Sequence, residues 1–164
     1  MFTRRAVLGS LVIAPLAACS SKFKSYNGPE VTRIAVYKER RKMYLLHHDK
    51  VLEDYDIDLG FSPEGHKQIQ GDGKTPEGNY RIDRRNPNSS FHLSLGISYP
   101  NVEDVQVARE MGKSPGGDIF IHGARRKKDR TGPDWTWGCI SVSNKEMEDI
   151  YAMVRDGTII SIYP

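Results

Sequence analysis

Apolar positions along the chain fall mostly into short runs with the two-residue period of strands. Between Val31 and Lys38, Thr32, Ile34 and Val36 share one face. Lys42 to His47 and Val51 to Leu59 continue the pattern, joined by polar turns around Glu39–Arg41 and His48–Lys50. Asn79–Asp83, Phe91–Ile97, Asp118–His122, Ile140–Val142 and Thr158–Tyr163 read as further strands. Two segments carry helical signals instead. Asn101 can cap a stretch running to Met111, with Gly112 at its end. Ser143 and Glu146 make a capping box ahead of Met147, Ile150, Tyr151 and Val154, with Gly157 beyond the end. The predicted architecture is mainly β, a sandwich-like or barrel-like closed sheet with one or two short helices.

The first residues depart from this pattern. Arg4-Arg5 precede an apolar stretch, Ala6 to Ala18, broken only by Gly9, Ser10 and Pro15. A short basic start and a short apolar core describe a secretory signal rather than a membrane span. The stretch ends Leu16-Ala17-Ala18-Cys19, which resembles a bacterial lipobox, and Thr3-Arg4-Arg5-Ala6-Val7-Leu8 is similar to a twin-arginine export signal. The expected organisation is a lipoprotein signal peptide over 1–18, a polar tether over 19–30 beginning at a lipidated Cys19, and one domain over 31–164. Resemblance to Gram-negative lipoproteins with Ser20 after the Cys implies the periplasmic face of the outer membrane.

Arg4 and Arg5 supply two of the three net positive charges, so the body carries +1. A near-neutral body argues against nucleic acid as the partner. Gly71-Asp72-Gly73-Lys74-Thr75 has the look of a phosphate loop, but the position where such a loop needs its first Gly is Gln68, and no nucleotide is expected. The segment Gly71 to Gly78 reads as a tight loop whose Pro76 and Gly78 set the entry to the next strand. No metal is expected either. The five His form no ligand-spaced pair, and His47 and His48, adjacent in a strand, would point to opposite faces. Arg125-Arg126-Lys127-Lys128 reads as a solvated loop, or as a receiver of carboxylates on a wall polymer.

With Cys19 lipidated, Cys139 is the only remaining thiol, so no internal disulfide can form. Ile119-Phe120-Ile121 delivers His122-Gly123 to a strand end; Trp137-Gly138-Cys139 stands at the start of another. Two neighbouring strand ends would bring imidazole and sulfur together. His122 would then lower the thiol below its free value of about 8.5, and amides beside Gly138 could receive an oxyanion. On these residues alone a buried, inert Cys beside a structural His remains open as the lesser alternative.

His122-Gly123, then Gly138-Cys139-Ile140 after a spacer, resembles the YkuD-type L,D-transpeptidase family, and Thr75-Pro76-Glu77-Gly78-Asn79-Tyr80 is similar to that family's Thr-Pro-x-Gly-x-aromatic segment. Gly96-Ile97-Ser98-Tyr99-Pro100-Asn101 and the terminal Ser161-Ile162-Tyr163-Pro164 resemble its YafK-like branch. The resemblance implies a metal-free, cofactor-free β-rich domain acting on peptidoglycan stem peptides. Cys139 would be the nucleophile, His122 the general base and acid, Gly123 the backbone orienter of the imidazole and Gly138 an oxyanion donor. Trp137 and Tyr80 would either wall the substrate groove or pack in the core. Thr136-Trp137 stands where many members have Ser-His or Ser-Arg, and Ser141 where many have a substrate-receiving Arg or Asn. Three outcomes follow: crosslinking of stem peptides, hydrolysis that trims them or detaches wall-linked lipoprotein, or binding to the wall without turnover.

Overall fold

The computed structural model describes residues 21–124 and 132–164. The segment expected as a signal peptide, Cys19 and the Arg125–Lys128 run lie outside the described residues. Eight strands form one sheet: β1 (Arg33–Tyr37), β2 (Lys42–His47), β3 (Lys50–Asp56), β4 (Gly78–Asn86), β5 (Ser94–Ile97), β6 (Phe120–His122), β7 (Ile140–Ser141) and β8 (Ile159–Tyr163). Their spatial order is β3-β2-β1-β8-β4-β5-β6-β7. β1 runs parallel to β8 and β6 parallel to β7, while the other neighbours are antiparallel. The chain beyond β3 then crosses to the other end of the sheet, where Asp58 bridges Ser141 and Gly60 bridges Thr136. The result is a half-barrel that brings its two ends together.

The two-residue period explains the core. Ile34, Val36, Met43, Leu45, Ile160 and Ile162 are fully or almost fully buried from alternate strand positions. α1 (Val102–Glu110) starts at Asn101 and α2 (Asn144–Met153) at Ser143, each through a capping box, closed by Asp104 and Glu146 respectively. α2 buries Met147, Ile150, Tyr151 and Met153 and packs on β5 and β6. α1 buries little beyond Asp104 and Ala108. It is held instead through Asp104, which receives the Tyr80 hydroxyl at 3.0 Å and His66 Nε2 at 3.0 Å.

Several boundaries differ from expectation. The strand expected over Phe91–Ile97 starts only at Ser94, and the one expected to end at Asp83 continues to Asn86. His47 and His48 do not point apart. His48 leaves the strand with φ +53, so the two rings meet at 4.5 Å. Residues 21–30, expected as a tether, lie along the body: Lys22 donates to the carbonyls of Pro87 (2.6 Å) and His92 (3.1 Å), and Lys24 pairs with Asp149 at 2.7 Å. Among the described residues no helix is long and apolar enough to cross a membrane.

Candidate active site

Sheet register assembles the site. Across β4, β5, β6 and β7 the pairs Asn86↔Ser94, Ser94↔His122 and His122↔Ser141 form one row, extended by the Ser141↔Asp58 bridge. One step away, Arg84↔Gly96 and Gly96↔Phe120 form a second row, and the β6–β7 register carries it on to Cys139. Paired residues point to the same side of a sheet, so His122 and Cys139 share a face. That face floors an open groove of about 520 Å³ lined by His122, Cys139, Phe120, Trp135 and Trp137.

The imidazole is fixed on every side. Its Nδ1 lies 2.5 Å from the Gly123 carbonyl oxygen. A carbonyl only accepts, so Nδ1 carries the proton and Nε2 keeps its lone pair. Phe91 packs on the ring at 4.6 Å and Trp135 meets it edge-on at 5.7 Å. Trp135 is itself held by Asp58, which accepts its indole N–H at 3.2 Å. Gly123 is required for this approach: a Cβ there would sit 2.4 Å from the Asn144 side-chain oxygen.

The thiol is half-buried and donates to the Asp118 carbonyl at 3.6 Å. Burial pushes it up to about 11; the Asp118 carboxylate adds to this, while the Phe120 amide and Lys67 draw it back. Burial likewise lowers His122, with the Gly123 carbonyl opposing. The expected lowering of the thiol below about 8.5 therefore does not hold, because desolvation disfavours both charged forms. The pair rests as neutral thiol and neutral imidazole.

The loop carrying Cys139 is pinned from below. Asp134 accepts from Leu59 N–H at 3.0 Å and pairs with Arg41 at 2.7 Å. The Thr75 hydroxyl accepts from Gly60 N–H at 3.1 Å, and buried Lys38 holds the Thr75 carbonyl (3.1 Å) and the Glu77 carboxylate (2.7 Å). The Thr-Pro-Glu-Gly segment is thus a strut under the loop that carries Cys139. Gly138 sits on it with φ +120, where a Cβ would come within 2.6 Å of the Lys74 carbonyl.

Three expected site residues take other places. Gly138 N–H is given to the Thr136 hydroxyl at 3.2 Å, which in turn donates to the Cys139 carbonyl at 2.7 Å. Its part in the resting site is close packing, not a free donor. Tyr80 is 4% exposed and bonded to Asp104, away from the groove, because it shares its strand face with buried Ile82. Ser141 is fully buried beside its strand partner His122, its hydroxyl without a hydrogen-bond partner among the described residues. Trp137 does line the groove, 72% exposed, with Phe61 perpendicular to it at 4.9 Å. Phe91, Trp135, Asp134 and Asp58 escaped the sequence reading, although the Trp-x-Trp spacing before Gly-Cys was a usable signal. Among the described residues no group of three or more His, Cys, Asp or Glu could hold a metal.

The YkuD profile, the L,D-transpeptidase catalytic domain, matches residues 31–162. The Escherichia coli K12 protein named "Putative L,D-transpeptidase YafK" is 28% identical over 144 residues, which is 80% of this chain and 53% of the relative. The helical cell shape determining protein Pgp2 of Campylobacter jejuni superposes with a TM-score of 0.63 at 26% identity, over 84% of this chain and 49% of Pgp2. L,D-transpeptidase 1 of Mycobacterium tuberculosis, at 12% identity and a TM-score of 0.53, covers 82% of this chain and 62% of its own and shares the fold. The chain spans about half the length of the curated relatives it matches.

Proposed function

Because the chain belongs to the YkuD family of L,D-transpeptidase catalytic domains, we propose that it is a cysteine acyltransferase acting on peptidoglycan stem peptides. One observation carries the reading: the Nδ1–H of His122 is committed to Gly123, so the basic Nε2 belongs to the groove that also holds the Cys139 thiol. His122 Nε2 takes the thiol proton as sulfur attacks the acyl carbonyl of the third stem residue. The S–C bond forms, the oxyanion collapses, the C–N bond breaks, and His122 returns the proton to the leaving amine. A second nucleophile then attacks the thioester, gives its proton to His122, and releases Cys139 as the thiol. The Cys139 N–H is the donor assigned to the oxyanion, since Gly138 N–H is held by Thr136. Trp137 and Phe61 wall the entry.

The second nucleophile is an amine of another stem peptide in crosslinking, or water in trimming and in detaching wall-linked lipoprotein. Lipidation at Cys19 would hold the domain at the periplasmic face of the membrane, beside this polymer. The test is incubation of the full chain with purified muropeptides and with lipoprotein-linked wall, followed by mass analysis. Crosslinked dimers or released D-Ala, tripeptides or lipoprotein support the reading and identify the acceptor. No change in any substrate, with wild type indistinguishable from Cys139→Ala, overturns it.

A further inference from the structure

The row that ends at Cys139 begins at a charged group that the proposed reaction does not use. A β-bulge between Ile82 and Arg84 turns Arg84 away from the core face that Ile82 occupies and onto the groove face. The Arg84 side chain lies across Gly96. A Cβ at Gly96 would fall 2.4 Å from Arg84 Cγ, so the missing side chain makes its bed. The guanidinium has its own neighbour Asp83 at 3.9 Å, reaches the Phe120 ring at 4.7 Å and meets the Asp118 carboxylate at 3.2 Å, its closer acidic partner. Phe120 and Asp118 both line the groove, and the Asp118 carbonyl accepts the Cys139 thiol. Asp118 holds this position with φ +56, a left-handed conformation uncommon outside glycine.

We propose that Arg84 and Asp118 form a receptor for a zwitterionic substrate end, an amino-acid group bearing both an ammonium and a carboxylate. The proposal rests on the stem-peptide reading above and names the determinant of its specificity. A bare carboxylate would have to displace Asp118 from Arg84, and a bare ammonium would have to displace Arg84 from Asp118. A group carrying both charges pairs with both residues and strands neither. The groove thus has a charged end at Arg84 and Asp118 and an aromatic end at Trp137.

The test measures binding in the full chain carrying Cys139→Ala, which removes turnover. Three stem peptides are compared by calorimetry: one whose third residue ends in both ammonium and carboxylate, its carboxamide, and its deaminated analogue. The zwitterionic peptide should bind roughly tenfold or more tightly than either analogue, the scale of one charge-assisted pair. Arg84→Gln should erase the preference over the carboxamide, and Asp118→Asn the preference over the deaminated peptide. Arg84→Lys should retain part of the former. Asp118→Asn also guards against a fold defect at Arg84, since its side chain is exposed. Equal affinity for all three peptides, or preferences that survive both substitutions, overturns the receptor. Turnover by the intact thiol with no such preference would sink this inference alone, whereas selective binding with no turnover would sink the reaction and keep the receptor.

Discussion

Strands β4 to β7 carry two faces with opposite work. On one, Ile82, Leu95, Ile97, Ile121 and Ile140 are fully buried against the core and α2. On the other, from the intervening positions, stand Arg84, Ser94, Gly96, Phe120, His122, Cys139 and Ser141. The apolar face gains from burial alone and tolerates any side chain of the right volume. The groove face holds buried polar groups, Ser94, His122 and Ser141, whose cost must be met by specific partners. His122 has its partner in Gly123; Ser141 has none among the described residues. The core face fixes where the strands lie, and the groove face builds its site on that fixed register.

If that division is right, substitutions on the groove face should remove turnover and leave stability, and the core face should do the reverse. Cys139→Ala should lower turnover of muropeptides by at least about 10⁴-fold with an unchanged thermal midpoint. Near-wild-type rates from purified Cys139→Ala would break the comparison at once. Gly138→Ala should cost on the order of 10²-fold in turnover, because the added methyl must move the nucleophile off the Lys74 carbonyl. A rate assay beside circular dichroism separates this from unfolding. Ile121→Ala, one residue from His122, should destabilise by about 2–5 kcal/mol in urea unfolding while folded molecules keep their turnover.

The pH response sharpens the comparison. The folded thiol keeps its proton up to about 11, whereas the unfolded chain releases it near 8.5. The folded state binds more protons between those values, so stability is fully present below about 8.5 and declines as pH rises toward about 11. Cys139→Ala should remove that slope. His122 is lowered, so the unfolded chain takes its proton first, and stability falls as pH drops below about 6.5. Alkylation of native Cys139 should keep rising past pH 9, and a plateau near pH 8 would mean an activated thiolate at rest. The smallest effect is expected at Ser141→Ala. Removing an unpartnered buried hydroxyl should leave stability unchanged or raise it by about 1 kcal/mol, and a large loss in urea unfolding would mean that the hydroxyl has a partner.

Local signals were legible because local physics produces them. Asn101, Ser143 and Glu146 announce their helices through neighbouring backbone amides, and Ile34 and Val36 announce a strand through alternation. His122 and Cys139 were legible as strand-end residues. Tyr80 could have been placed by the same alternation, since Ile82 two positions on is fully buried, but the motif drew it to the groove instead. Ser141 and Arg84 needed the register: one is buried beside its strand partner His122, and the other is brought to the groove by a bulge that alternation cannot foresee. The thiol's upward shift depends on how deeply the folded loops bury it, which no spacing encodes.

The central claim is that the groove face works through a covalent Cys139 intermediate formed with His122. Its most direct measurement is the intact mass of the full chain, acid-quenched during turnover of a tetrapeptide muropeptide and then mapped by proteolysis. An acyl increment is expected on Cys139 that vanishes in Cys139→Ala and is strongly reduced in His122→Ala. Product formation with unmodified Cys139 throughout, or an acyl group residing on another side chain, would contradict it.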